Sequence, residues 1–350
     1  MARTRGFADR LVQWQQQHGR NQLPWQGTRD PYRVWLSEIM LQQTQVRTVI
    51  DYFARFMARF PDVRALAQAH EDEVMALWSG LGYYTRARNL HRCAQAVVAQ
   101  RGGQFPHDAA TLVTLPGIGR STACAIASIS FGERVAILDA IVKRVVSRVF
   151  AFEGDLSQVK QERALWGLAE QLLPDVAQAN AQMPRYTQGM MDLGAMLCTP
   201  KNPQCACCPV RALCKGADGD PTRFPVRSRK LKRSSEQVWA LWLQRPDGAV
   251  WLQQRPAQGI WARLYCLPVW SAPTPLEVVL APGLSAAPRE DLPVFLHVLT
   301  HKDLHIHPVR VRVHDARAVA LEDGAWYAPE AWRALGLPAP VRKLLESAVA

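Results

Sequence analysis

No apolar run in this chain approaches the ~20 residues that a membrane-spanning helix requires. Its start, Met1 to Arg20, lacks the apolar stretch of a secretory leader and is charged and glutamine-rich instead. A membrane protein and a secreted protein are therefore not expected, and a reducing cytosol, or the nucleoid of a bacterium, is the expected setting. Internal repeats and low-complexity tracts are missing too, which argues against a solenoid or a disordered array. Acids are the scarce charge: 30 Asp and Glu stand against 42 Lys and Arg, for a formal net charge of +12. A chain so basic accumulates on polyanions, of which phosphate backbones are the commonest.

The length of 350 residues suggests about two domains, and 48% hydrophobic residues suffice for packed cores. From Pro31 to about Gly216 the pattern is mostly helical. Apolar residues recur at helical spacing in Trp35, Leu36, Ile39, Met40, Val46 and Ile50, and similar stripes run through Glu71–Trp78, Ala87–Val98 and Glu162–Leu173. Basic residues then crowd residues 223–237 (Arg223, Arg227, Arg229, Lys230, Lys232 and Arg233), which reads as an exposed linker able to track phosphates. Beyond it the period changes to two. Val238–Leu243 and Ala249–Leu252 flank the turn residues Pro246-Asp247-Gly248, and Val309–Val313 alternates as a half-buried strand. Pro329–Leu335 and Val341–Val349 read as short helices. The expected division is 1–222, helical; 223–237, linker; and 238–350, α+β.

Cys198, Cys205, Cys208 and Cys214 are separated by gaps of six, two and five residues. Four thiolates so close together can enclose one metal centre, either zinc or an iron–sulfur cluster. Zinc sites usually carry two close pairs, and here only Cys205 and Cys208 are close. A disulfide framework is the remaining reading, and a reducing compartment disfavours it. The arrangement resembles the [4Fe–4S] loop of the endonuclease III superfamily of DNA glycosylases, with Cys207 out of step as a bystander.

Leu115-Pro116-Gly117-Ile118-Gly119 lies between two helical stretches, 108–113 and 121–130. Its glycines permit a tight turn, and the amides opening the second helix face an anion with the helix dipole behind them. This is a helix–hairpin–helix pattern that grips a DNA phosphate without reading bases, through Gly117, Gly119, Arg120 and Ser121. Asp139 is a lone acid in the apolar run Ala136–Val142, and its propensity is that of a helix N-cap. Glu38 heads a polar stripe with Gln42 and Gln45 on an otherwise apolar helix, and its plainest reading is a solvated surface.

Nearly the whole chain resembles the adenine DNA glycosylase family. The strongest pieces are Leu23-Pro24-Trp25, Trp35–Thr48, Gly80-Leu81-Gly82-Tyr83-Tyr84, the hairpin, the cysteine loop and Gln188–Cys198. The resemblance implies a mainly α helix–hairpin–helix glycosylase module of two helical lobes with an iron–sulfur loop, followed by an α+β Nudix-like domain. It implies a monomeric enzyme acting on double-stranded DNA with adenine opposite 8-oxoguanine or guanine, and carrying a [4Fe–4S] cluster held by Cys198, Cys205, Cys208 and Cys214. Glu38 becomes the general acid and Asp139 the anion facing the sugar of a flipped nucleotide. Trp25 and Gln188 line the adenine pocket, and Gln42, Gln43 and Tyr83 wedge into the duplex. Leu299-Thr300-His301 stands where the family often has Phe-Ser-His in its loop sensing 8-oxoguanine, which leaves Thr300 and His301 to sense the lesion. Between Gly259 and Glu290 only Glu277 and Glu290 are acidic, too few for the magnesium-binding helix of an enzymatic Nudix domain.

Two positions separate the alternatives. Endonuclease III-like enzymes carry a lysine immediately after the hairpin that forms a Schiff base and cleaves the strand. Ser121 occupies that place, which favours a monofunctional glycosylase over a pyrimidine glycosylase and lyase. Lys143 reads as one partner of an ion pair four residues from Asp139. The family usually has Asp-Gly-Asn where this chain has Asp139-Ala140-Ile141. Isoleucine cannot hydrogen-bond, and this departure is what favours a non-catalytic DNA lesion sensor.

Overall fold

The computed structural model describes residues 4–228, 232–273, 288–314, 321 and 323–347. Arg229 and Lys230 of the basic stretch, Glu277, and the end of the helix expected to reach Val349 lie outside these residues. In chain order the helices are α1 (Phe7–His18), α2 (Pro31–Leu41), α3 (Val46–Arg59), α4 (Val63–Gln68), α5 (Glu71–Trp78), α6 (Thr85–Arg101), α7 (Ala109–Leu112), α8 (Arg120–Ile126), α9 (Ala140–Phe150), α10 (Val159–Glu170) and α11 (Ala179–Met196). The strands follow: β1 (Ser234–Gln244), β2 (Val250–Gln254), β3 (Tyr265–Cys266), β4 (Val269–Trp270), β5 (Arg289–Asp291), β6 (Phe295–Val298), β7 (Lys302–Arg312) and β8 (Gly324–Tyr327). The short helices α12 (Pro329–Arg333) and α13 (Ala339–Glu346) come last.

The chain forms two compact units, one of residues 1–68 and 89–230, the other of 69–88 and 231–350. Helix α5 and the glycine-rich segment after it thus belong with the C-terminal residues, which a division read along the chain cannot express.

In the first unit the caps are encoded locally. Asp30 accepts from the Tyr32 amide at 2.9 Å, with Pro31 pre-set for the first turn of α2. Asp108 accepts from Thr111 at 2.7 Å and opens α7. Asp139 accepts from Val142 at 2.7 Å and opens α9. One core gathers Leu11 of α1, Ala125 of α8, Val142, Val145 and Val146 of α9, Leu165 and Trp166 of α10, and Met190 and Leu193 of α11. Elsewhere in the unit aromatic rings meet: Trp25 with Phe53 at 5.5 Å, Trp35 with Phe105 at 5.3 Å, and Phe56 with Phe60 at 5.2 Å. Helix α1 was not foreseen, because glutamine and charge dilute its apolar stripe to Phe7, Leu11 and Val12.

The basic stretch after residue 222 begins as anchored chain. Leu156 donates to Val226 O at 3.0 Å, and Asp155 accepts from the Ser228 amide at 3.2 Å.

The second unit holds a mixed sheet ordered β3-β2-β1-β7-β5, with β4 and β8 pairing β1 and β2, and β6 pairing β7. β1 and β7 run parallel from Ser234 opposite Lys302 to Gln244 opposite Arg312, while the other pairs are antiparallel. β1 is buried on both faces. Val238, Ala240 and Trp242 pack with Trp332, Val341 and Leu345, whereas Leu241 and Leu243 pack with Val309 and Val311. The expected hairpin forms between β1 and β2, with Gly248 at φ +82°.

Ile141 fills space that exists only because residue 194 is glycine. A Cβ at Gly194 would stand 2.2 Å from Cγ2 of Ile141 and 3.2 Å from Cγ2 of Val145. Gly194→Ala should therefore destabilise the protein by about 1–3 kcal/mol through overpacking. Adding Ile141→Ala should recover part of that loss, with a coupling of at least ~0.5 kcal/mol in denaturant unfolding. Strictly additive effects of the two changes would contradict the packing account.

Candidate active site

The hairpin and the carboxylates occupy the first unit together. Gly117 has φ +74°, and a Cβ there would stand 2.5 Å from Cβ of Asn89, so the turn requires glycine. Gly119 caps α8 with its backbone alone, and no side chain meets the opening amides. Arg120 is turned along the protein: its guanidinium lies 3.9 Å from the centre of the Trp166 ring and 3.5 Å from Glu170 Oε1. Ser121 is engaged as well, accepting from the Leu138 amide at 3.0 Å.

Glu38 projects from α2 into a cavity of about 550 Å³, whose wall also includes Trp25, Gln26, Arg185 and Gln188. The residue is half-buried and lines this cavity. Burial, reinforced by the nearby charge of Asp139, raises the Glu38 carboxyl from its ordinary 4.5 to about 8. Burial also raises Asp139, opposed by the Val142 and Ile141 amides and by Arg144 and Lys143. The two acids, 101 positions apart by their numbers, are thus brought within electrostatic reach. Asp139 is not part of the cavity wall.

Other expected residues fall as follows. Gln42 ends α2 and donates to Thr122 Oγ1 at 3.3 Å, and Gln43 adopts φ +57°, an unusual conformation for a side chain of its size. Lys143 pairs with Glu162 on α10 at 2.8 Å rather than with an acid on its own helix.

Three residues of this site carried no motif. Arg20 donates from Nε to Asp192 at 2.8 Å, and Asp192 is wholly buried, so the loop bearing Trp25 is tied to the helix bearing Gln188. Gln26 has both amide atoms buried without a partner among the described residues, a cost of roughly 1–3 kcal/mol per group in the free protein.

All eight cysteines are free thiols, which removes the disulfide reading. Among the described residues no three His, Cys, Asp or Glu side chains meet closely enough to hold a single metal ion. The four spaced thiols nevertheless share one neighbourhood. Cys208 is pushed up to about 12, by burial first and then by the charges of Cys198, Cys214 and Cys205, against the Val210 amide. Cys214 is raised by burial and by its neighbours Cys198 and Cys205. Arg148 of α9 enters this loop, only 2% exposed. It donates to the carbonyls of Thr199 (2.7 Å), Pro200 (2.9 Å), Pro221 (2.8 Å) and Phe224 (3.2 Å), and approaches Cys198 Sγ at 3.3 Å. The four thiols sense one another's charge and a buried cation stands beside Cys198, a donor set of the kind that suits a tetrathiolate cluster.

In the second unit Tyr83 has φ +48° and its hydroxyl bonds Thr300 Oγ1. Both line a cavity of about 500 Å³ with Trp261, His297 and His301. Burial lowers the His297 imidazole from its ordinary value. Trp261 and His297 were not anticipated, because neither stands in a recognisable motif.

Comparison with known proteins gives two families. Residues 36–171 match the HhH-GPD superfamily of base excision DNA repair proteins, and residues 239–347 match the NUDIX domain. An adenine DNA glycosylase of Buchnera aphidicola is 34% identical over 345 residues, covering 97% of each chain. The human adenine DNA glycosylase is 44% identical over 224 residues, covering 61% of this chain and 40% of the human one. Among solved structures a thermostable thymine-DNA glycosylase matches with TM-score 0.55 and 27% identity, over 62% of this chain and 97% of that one. An endonuclease III–DNA complex matches with TM-score 0.50 and 21% identity, over 62% and 96%, a likeness of fold.

The raised Glu38 carboxyl ties stability to pH. Its folded value of about 8 lies above its ordinary 4.5. Folding therefore takes up a proton between those values, and each pH unit costs ~1.4 kcal/mol, about 3 kcal/mol by pH 7. Glu38→Gln carries no such cost. The difference in melting temperature between variant and parent should grow in the variant's favour from pH 5 to pH 8, then level off. A difference independent of pH would show that the carboxyl is not buried as described.

Proposed function

The chain belongs to the adenine DNA glycosylase family, and from that membership we propose that it removes adenine paired with 8-oxoguanine or guanine in double-stranded DNA. The observation that carries this reading is a pair of acids within electrostatic reach of each other, one of them in a cavity wall and holding its proton at neutral pH. Adenine flipped from the stack enters the cavity between Trp25 and Gln188, with the hairpin holding the backbone through Gly117, Gly119 and Arg120. Glu38 donates its proton to the five-membered ring of the base, so the glycosidic electron pair leaves with a neutral leaving group. Asp139, anionic and held by the α9 amides, stabilises the oxocarbenium-like sugar, and water then adds to the anomeric carbon. Gln42, Gln43 and Tyr83 wedge the duplex open.

Water serves as nucleophile because no free amine stands at the hairpin: residue 121 is serine, and Lys143 is held by Glu162. Cys198, Cys205, Cys208 and Cys214 hold a [4Fe–4S] cluster that, when bound, cross-links the loop following α11. Residues 1–222 form the catalytic module, 223–237 a basic connection and 238–350 the lesion-recognising domain. There Thr300 and His301 offer the polar groups that distinguish 8-oxoguanine from guanine. Pyrophosphatase activity is not expected of that domain, where Glu290 is paired with Arg310. The protein acts as a monomer.

The parent should release adenine from a duplex bearing adenine opposite 8-oxoguanine, with strand breakage only after alkali. Glu38→Gln and Asp139→Asn should each slow single-turnover release by roughly 10²-fold or more while DNA affinity holds. A variant within about tenfold of the parent, ~1.4 kcal/mol of barrier, would lose its assigned role, and strand breakage without alkali at the rate of base release would make the enzyme a lyase.

Anaerobically purified protein should be yellow-brown with about four irons per chain, and Cys205→Ser should lose iron and soluble yield together. One zinc and no iron would overturn the cluster assignment.

A further inference from the structure

Asp139 stands at the end of irregular chain. From Gly132 to Asp139 there is no helix or strand, so little local structure sets where the aspartate sits. The stretch is fixed by ties to other elements. Glu133 accepts from Ala109 at 2.7 Å, Arg134 donates to Pro174 O at 2.7 Å, and the Leu138 amide donates to Ser121 Oγ at 3.0 Å. The last of these bears on the residue immediately before Asp139. Leu138 is 2% exposed, so without the serine its N–H would have no water to turn to.

Ser121 lies in the first turn of α8, two positions after Gly119 of the hairpin. One side chain therefore spans from the element proposed to grip a phosphate to the element bearing the carboxylate. We infer that Ser121 is a positioning residue for adenine release, its hydroxyl fixing the Leu138 peptide and so the place of Asp139 relative to the DNA backbone held by the hairpin. The inference rests on the function proposed above. It gives the serine a purpose of its own, apart from the mere lack of a lysine amine. A protonated lysine at 121 has no lone pair to accept from Leu138, so an amine there comes at the expense of the tie.

Alanine removes the acceptor and leaves the amide orphaned. Threonine keeps the hydroxyl, and cysteine keeps the shape with a weaker acceptor. Full-length Ser121→Ala should release adenine opposite 8-oxoguanine roughly 10- to 50-fold more slowly in single turnover, the effect of one lost buried hydrogen bond expressed at the barrier. Its dissociation constant for uncleaved duplex should stay within about twofold of the parent's. Ser121→Thr should restore most of the rate, and Ser121→Cys should fall between.

Release by Ser121→Ala within about twofold of the parent would overturn the inference. So would rate and DNA affinity falling in parallel with no rescue by threonine, because that pattern marks general damage rather than positioning. If Ser121→Ala does not fold, the comparison of threonine and cysteine with the parent decides by the same criteria. A parent that itself released no adenine would overturn the proposed function, and this inference with it.

Discussion

A guanidinium sealed from water is the constraint on which much of the first unit depends. Arg148 is stripped of hydration, a loss of several kcal/mol unless its donors are met. They are met by carbonyls from two separate segments, 199–200 and 221–224, and by the approach to Cys198. The same helix α9 that carries Arg148 opens with Asp139 at its N-cap. Arg144, between them, donates to the carbonyls of Cys198 at 2.7 Å and Gly194 at 2.7 Å. Asp139 and the cysteine loop are thus tied to one helix, the first as its N-cap and the second through Arg144 and Arg148.

The opposite tension governs the carboxylates. Two acids within reach of each other and out of water cannot both ionise cheaply, and the environment separates their roles. Burial raises Asp139 as well, but amides and nearby cations oppose that rise and favour its anion. Glu38 is given neither, and burial leaves it the proton. A glycosidase needs this division between an acid and an anion, and here it comes from local donors rather than from residue type.

How much of this was legible in sequence depended on where each partner lies. The hairpin glycines, the N-cap of Asp139 and the β1–β2 turn are local patterns, and they read correctly as structure. The departure at Ile141 was legible as a loss of hydrogen bonding, but not as a gain in packing, because Gly194 lies far along the chain. Ser121 and Arg120 were read as phosphate contacts and Lys143 as an ion-pair partner on its own helix; each also meets a partner on another element, Leu138, Trp166 and Glu162 respectively. Gln26 gave no signal, since an amide without partners leaves no trace in spacing. Helix α5 was read correctly as a helix, but its assignment to the same compact unit as the C-terminal residues was not legible, because helical periodicity reports that a face is buried and not against what.

That assignment has a consequence for the order in which the molecule can be made. Met75 lies close against Gly336, and Ser79 and Tyr84 donate to the Leu337 carbonyl at 2.7 Å and 3.3 Å. Arg88 donates to Ala262 O at 2.8 Å. On a ribosome adding about 5–20 residues per second, residues 69–88 emerge long before these partners, a wait on the order of ten seconds. During that time a segment carrying tryptophan, methionine and two tyrosines precedes the residues it packs against in the second unit. The order of synthesis therefore sets when the second unit can close, since its first segment must wait for the last third of the chain.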